Sequence, residues 1–425
     1  MQGASKALRA RLPAKVRDLI VAEAAGGSVW LCKRDWRESV AMSDLRSASD
    51  QPFESSSPDK VTPSEEEAPF LYDVMRIRKG KITFEHDHFV RIRDSCLIVV
   101  NLGAKATDCD DSHLVDNPED VSRISSCVEY VMETIKEFVR LLHGNEVDIN
   151  LKFVTWFPLE LTIINGPEER RQLLSDFPFA IFFVNSFFPP EKWYEEGISL
   201  ALLYDAHRRM PNAKTVQASL RQRAKSMLEQ RGVFEVMLVS DDSHHFLVPE
   251  GSRSNYLVIT AEDKLLCSRE EDILVGITLK AARRVAAAAG LSPFDHRRLF
   301  VGDICLAQSI VILGTSIGVL PVREVQFYYD SESKGQFLAA MSDYVQFADS
   351  GIRAAAEVAC NRVTATNGVL RFESAQNETV KRLREFYEAE ALRQSNVEDK
   401  VQKCEVLEDI PLSVHEDVRG SGAAR

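Results

Sequence analysis

The stretch Pro249-Glu250-Gly251-Ser252-Arg253-Ser254-Asn255 constrains this chain most, because of what stands on either side of it. Val233–Val239 and Tyr256–Thr260 are apolar, β-branched runs of strand length, and a Gly/Ser/Asn turn joins their neighbourhood tightly. A carboxylate at such a place can be aimed into a cavity. Further strands are expected at Leu71–Arg78 and Lys81–Phe84 (a hairpin on Lys79-Gly80), Asp148–Trp156, Leu159–Ile164, Phe179–Phe188, Ile198–Tyr204 and Ser309–Leu313. Between them run helical patterns. The clearest is Val121–Leu142, where Ile124, Val128, Val131, Met132, Ile135, Phe138, Val139 and Leu142 repeat at the spacing of one buried face. Others begin at His86, follow Lys214 as far as Gln230 before Gly232, and cover Ile277–Ala289 and Gln336–Val358. Strands mixed with helices in this way predict an α/β protein.

At 425 residues with 45% apolar and 27% charged side chains, about two domains is the natural expectation. The divisions read as 1–69, an N-terminal extension with a disordered acidic linker rich in Ser and Pro; 70–190, a smaller α/β domain; 191–197, a polar connection; 198–394, a larger domain; and 395–425, a charged tail. A net charge of −12 argues against nucleic-acid binding, which needs clustered cations. The eight cysteines form no C-x-x-C pair, a pattern of reduced thiols in an intracellular, most simply cytoplasmic, protein. His244-His245, adjacent on a strand, point to opposite faces, so no metal is expected there. The longest apolar run, Cys305–Val322, is broken by Gln308, Gly314, Thr315, Ser316 and Gly318 and does not read as a membrane span. The first acidic residue is Asp18, after five basic ones, a pattern shared by organelle-targeting leaders and ordinary basic N-termini.

Taken singly, the residues that could carry chemistry are ambiguous. Lys214 and Glu250 could each face water. Gly276-Ile277-Thr278 opens a helix, whose free N–H groups and dipole favour an anion. Thr315 and Ser316, at the end of a strand, offer hydroxyl and backbone donors, and in His88-Phe89-Val90-Arg91-Ile92-Arg93-Asp94-Ser95 Arg91 offers a cation, with Arg93 the nearby alternative. Tyr72 and Arg208 are further polar candidates.

Their order carries more than their identity. Lys214, then Glu250-Gly251-Ser252-Arg253-Ser254-Asn255, then Gly276-Ile277-Thr278, then Gly314-Thr315-Ser316-Ile317-Gly318-Val319-Leu320-Pro321-Val322 resembles the class IV (fold type IV) pyridoxal-phosphate enzymes. That group contains branched-chain aminotransferases, D-amino-acid aminotransferases and aminodeoxychorismate lyases. The resemblance implies a two-domain α/β fold like that of D-amino-acid aminotransferase, pyridoxal 5'-phosphate as cofactor, and a homodimer. It assigns Lys214 as the amine that holds the cofactor aldehyde as a Schiff base and shuttles a proton. Glu250 would keep the pyridine nitrogen protonated. Gly276, Ile277, Thr278, Thr315, Ser316 and Arg91 would hold the phosphate. The implied reaction is ping-pong transfer of an amino group between an amino acid and a 2-oxo acid; a lyase of the aminodeoxychorismate kind and a non-catalytic member are the alternatives. Three positions depart from the pattern: Ser219 stands where branched-chain enzymes place a tyrosine, Leu279 where a basic residue is usual, and Tyr256-Leu257 alters the pair after Asn255.

Overall fold

The computed structural model describes residues 20–23, 29–32, 70–105, 118–142, 148–156, 179–184, 187–242 and 245–395. The expected strand Leu159–Ile164, the acidic linker 45–69 and the tail after 395 lie outside them.

A six-stranded sheet runs in the order β1 (Ile20–Glu23), β2 (Val29–Cys32), β6 (Phe179–Val184), β5 (Asp148–Trp156), β3 (Phe70–Arg78), β4 (Lys81–Ile82). β1 and β2 fall in the segment expected only to extend the N-terminus, where apolar runs this short give no readable period. Two helices cover one face: α1 (Glu85–Lys105), longer than the short helix expected from His86, and α2 (Pro118–Leu142). Alternation along β3 and β5 sends Leu71, Met75, Ile77, Leu151 and Phe153 into that packing. The same alternation turns Tyr72, Arg78, Asn150 and Lys152 to the other face, where Asn150 reaches Ser316 and Arg78 reaches Glu388.

After a short helix, α3 (Glu191–Glu196), which occupies the expected polar connection, comes an eight-stranded sheet. Its order is β13 (Phe294–His296), β12 (Leu265–Cys267), β11 (Asn255–Ile259), β14 (Ser309–Gly314), β15 (Gly318–Gln326), β7 (Ile198–Leu203), β8 (Glu235–Leu238), with β16 (Val369–Arg371) also paired to β15. Helices on both faces explain its continuous apolar strands. α5 (Ile277–Ala286) and α9 (Glu378–Ser395) bury Leu257, Val311, Leu313 and Val319 from one side. α6 (Val301–Leu306), α7 (Ser331–Phe347) and α8 (Ser350–Ala365) bury Val258, Ile310, Ile312 and Leu320 from the other. The single helix expected over Gln336–Val358 is therefore two, because Asp349 accepts hydrogen bonds from the Gly351 and Ile352 amides and caps a new start.

Candidate active site

Lys214 sits on the seam between the two sheets. Its carbonyl accepts from the Tyr72 amide at 3.0 Å, its own amide donates to Ser95 Oγ at 3.3 Å, and Thr215 bridges to Leu71. The loop is thus pinned to the edge of β3 before α4 (Ala218–Arg231) begins. The Lys214 Nζ lies over the Tyr72 ring, 4.8 Å from its centroid. Burial pushes the amine below its ordinary value; Arg91 and Arg208 add to that, and Tyr72 and Asp73 oppose it. An amine so placed gives up its proton more easily than a free one, which favours a nucleophile and proton carrier.

Glu250 follows β10 (His245–Leu247), the antiparallel partner of β9 (Ser240–Asp242), and is buried. Its Oε2 accepts from the Leu274 amide at 3.3 Å and from Asn255 Nδ2 at 3.5 Å. Arg208 Nε lies 2.7 Å from Oε1, yet the N–H is not directed at it: both atoms are buried without a hydrogen-bond partner. Arg208 instead donates to the Ser252 carbonyl. Burial raises the Glu250 carboxyl to about 6, against the pull of Arg208, the Leu274 amide and Lys214.

Asn255 joins this carboxylate to the helix that follows. Its Nδ2 bonds the Leu274 carbonyl and its Oδ1 accepts from the Gly276 amide at 3.0 Å. A Cβ on Gly276 would lie 2.3 Å from that oxygen, so the close approach admits only glycine. Gly276 therefore contributes an absent side chain rather than a free N–H. α5 starts at Ile277 with no side-chain cap, leaving its first amides directed outward. Thr278 Oγ1 lies 3.4 Å from the Tyr387 hydroxyl of α9. Thr315 and Ser316 form the turn between β14 and β15, and Ser316 Oγ accepts from Asn150 Nδ2 at 2.9 Å.

Arg91 is buried on α1 and held by Asp73, through Nε at 3.0 Å and a second nitrogen at 2.5 Å; His88 Nδ1 lies 3.0 Å from the same carboxylate. Burial alone would raise Asp73, but Arg91 and His88 outweigh it and hold the carboxyl below its usual range. Arg93, by contrast, turns outward to Asp94.

Lys214, Arg91, Arg208 and Glu250 thus act on one another's charge. Buried polar atoms without a hydrogen-bond partner occur on Arg208 (Nε) and Glu250 (Oε1) themselves, on Thr215 (Oγ1) beside Lys214, and on His88 (Nε2) beside Asp73. Native interiors rarely leave such atoms unmet, and a polar ligand is the direct remedy. A buried acceptor beside a cation, an uncapped helix start and an amine held low together suit a planar, phosphorylated, aldehyde-bearing cofactor. A cavity of about 360 Å³ also reaches the Arg208–Glu250 pair, lined by His207, Pro211, Ser240, Asp272 and Arg298, but not by Lys214. Among the described residues no cluster of acids, histidines and cysteines could hold a metal, and no helix is long and apolar enough to cross a membrane.

Of the departures, Ser219 is exposed on α4 and Leu279 is core. The sequence reading missed Asp73, Ser95, Asn255, Leu274 and Tyr387 as supports. Asp73 alone left a clear signal, a charge on the otherwise apolar face of Leu71, Met75 and Ile77.

Residues 70–325 match the model of the family described as Amino-transferase class IV. No curated protein matches the chain significantly. Among solved structures, it is similar to a fold IV transaminase from Curtobacterium pusillum, at 16% identity over 65% of this chain and 86% of that one, with a TM-score of 0.45. It is similar to the 4-amino-4-deoxychorismate lyase of Pseudomonas aeruginosa at 14% identity, 68% and 97% coverage and a TM-score of 0.44. For the branched-chain amino acid aminotransferase of Escherichia coli the values are 18%, 62%, 79% and 0.43.

Proposed function

The chain belongs to the class IV aminotransferase family, and from that premise we propose that it is a pyridoxal-phosphate-dependent aminotransferase. It would move an amino group between an amino acid, branched-chain-like or of the D series, and a 2-oxo acid, in two half-reactions that return the protein to its starting state. The observation that carries this reading is Glu250 Oε1, a buried carboxylate oxygen in contact with Arg208 but with no donor of its own.

When bound, pyridoxal phosphate supplies an aldehyde that accepts the amino group and a ring that accepts electrons. Glu250 would meet the ring nitrogen's proton, and Arg208 would keep the carboxylate ionised. The Ile277 and Thr278 amides, the 314–316 turn and Arg91 would receive the phosphate, with Asp73 fixing the plane of the Arg91 guanidinium. Lys214 would take the proton from the substrate's α-carbon and deliver it across the same face. The motif resemblance also implies a homodimer, which sedimentation of the purified protein would test.

Protein titrated with pyridoxal phosphate is expected to develop a visible absorption band that an amino-acid donor bleaches, and Lys214→Ala to lack it. A band surviving in the variant would remove Lys214 from this role. No band in either protein would remove the reading.

A further inference from the structure

The turn that carries Glu250 is held from behind by a second carboxylate. Glu235, the first residue of β8, is buried, and its carboxylate is bound by its own strand and by that turn. Oε1 accepts from the Val236 amide at 2.9 Å and from Ser252 Oγ at 2.5 Å. Oε2 accepts from the Arg253 amide at 3.1 Å and from Ser254 Oγ at 3.2 Å, with Arg253 Nε at 3.7 Å. A carboxylate accepting from several donors fixes them as a unit, since any one leaving strands a buried charge. The turn has no slack of its own: the Gly251 amide closes onto the Ser254 carbonyl at 2.8 Å, and a Cβ on Gly251 would lie 2.5 Å from Ser254 Oγ. On its other side the Ser252 carbonyl takes the Arg208 hydrogen bond, so Arg208 and Glu235 grip the same residue from opposite chemistries.

We propose that Glu235 is the positioning residue for Glu250, setting the aim of that carboxylate through the 251–254 turn without itself facing the ligand. Ser252 and Ser254 thereby have a purpose that does not involve the ligand: their hydroxyls serve Glu235. The catalytic consequence rests on the reading of Glu250 as the partner of the cofactor's ring nitrogen, whereas the geometry of the turn does not.

The Leu274 amide, which donates to Glu250 Oε2, reports where that carboxylate is. Hydrogen exchange followed by mass spectrometry on cofactor-free protein, in peptides covering 270–276, compares wild type, Glu235→Gln, and the double variant Ser252→Ala/Ser254→Ala. Exchange there is expected to quicken about five- to ten-fold in both variants, the effect of losing one hydrogen bond, while peptides of α2 stay unchanged. Exchange unchanged at 270–276, or raised equally throughout, would overturn the proposal and leave Glu235 a support of the fold. The double variant keeps the test decisive should Glu235→Gln not fold. With pyridoxal phosphate added, Glu235→Gln should keep the Lys214-dependent band but bleach at least ten-fold more slowly with donor, as Glu250→Gln would. A wild type that gives no band fails the functional reading alone, since the exchange result is obtained without cofactor.

Discussion

Arg208 Nε lies 2.7 Å from Glu250 Oε1, and the two buried charges touch without a hydrogen bond between them. The contact therefore works chiefly through charge. Arg208→Met should lift the Glu250 carboxyl further above about 6, by about one unit, because an opposite charge at this distance holds a carboxylate down by roughly that much. Infrared titration of the carboxyl band in cofactor-free protein reads it directly. An unmoved midpoint would mean that the pair carries no electrostatic coupling.

Glu250 also ties stability to pH. Its folded value lies above its unfolded one, so the folded state binds the proton more tightly. That contribution is complete below the unfolded value, about 4.3, and is lost as pH rises through about 6. Glu250→Gln should flatten this part of the stability profile. Urea unfolding at pH 4.5 and 7, compared between the two proteins, would reveal an unaltered slope if another group were responsible.

Asp73 acts in the opposite sense. Its folded value is depressed, so its contribution is present above the unfolded value and disappears as pH falls through that range into stronger acid. Asp73→Asn strands the Arg91 guanidinium in a buried site and should cost about 3–5 kcal/mol at neutral pH. It should also weaken retention of pyridoxal phosphate, because Arg91 loses the partner that orients it. Equilibrium denaturation and cofactor retention on a desalting column measure the two effects separately.

Gly276→Ala would place a methyl on Asn255 Oδ1 and push away the side chain that holds both Leu274 and Glu250. The expected cost is about 1–3 kcal/mol of stability, together with faster cofactor release. Thermal unfolding with and without pyridoxal phosphate distinguishes the two; a wild-type-like melting curve would mean that Asn255 yields freely.

What the sequence made legible was local. Gly232 takes the left-handed conformation that closes α4, and the Glu250 turn and the α5 start lie where turn and capping chemistry put them. Distant partners were not legible. His88 and Arg91 look like surface helix residues until α1 folds back over Asp73. Asn255 reads as the end of a turn motif, yet its amide spans to Leu274 and Gly276, which no spacing rule relates to it. Tyr387 lies beyond residues 70–325, on a helix placed by contacts with residues distant in sequence, and so had no motif to announce it.

The backbone around Lys214 is stitched to β3 through Tyr72 and Leu71 and to α1 through Ser95, although the residue belongs in sequence to the other sheet. The uncapped start of α5 at Ile277 and the Glu250 turn stay with that other sheet. A molecule bound to both would act as a rivet through the joint, loaded in shear whenever the halves slide. Parting the two halves would mean breaking these backbone contacts or drawing the lysine away from Glu250.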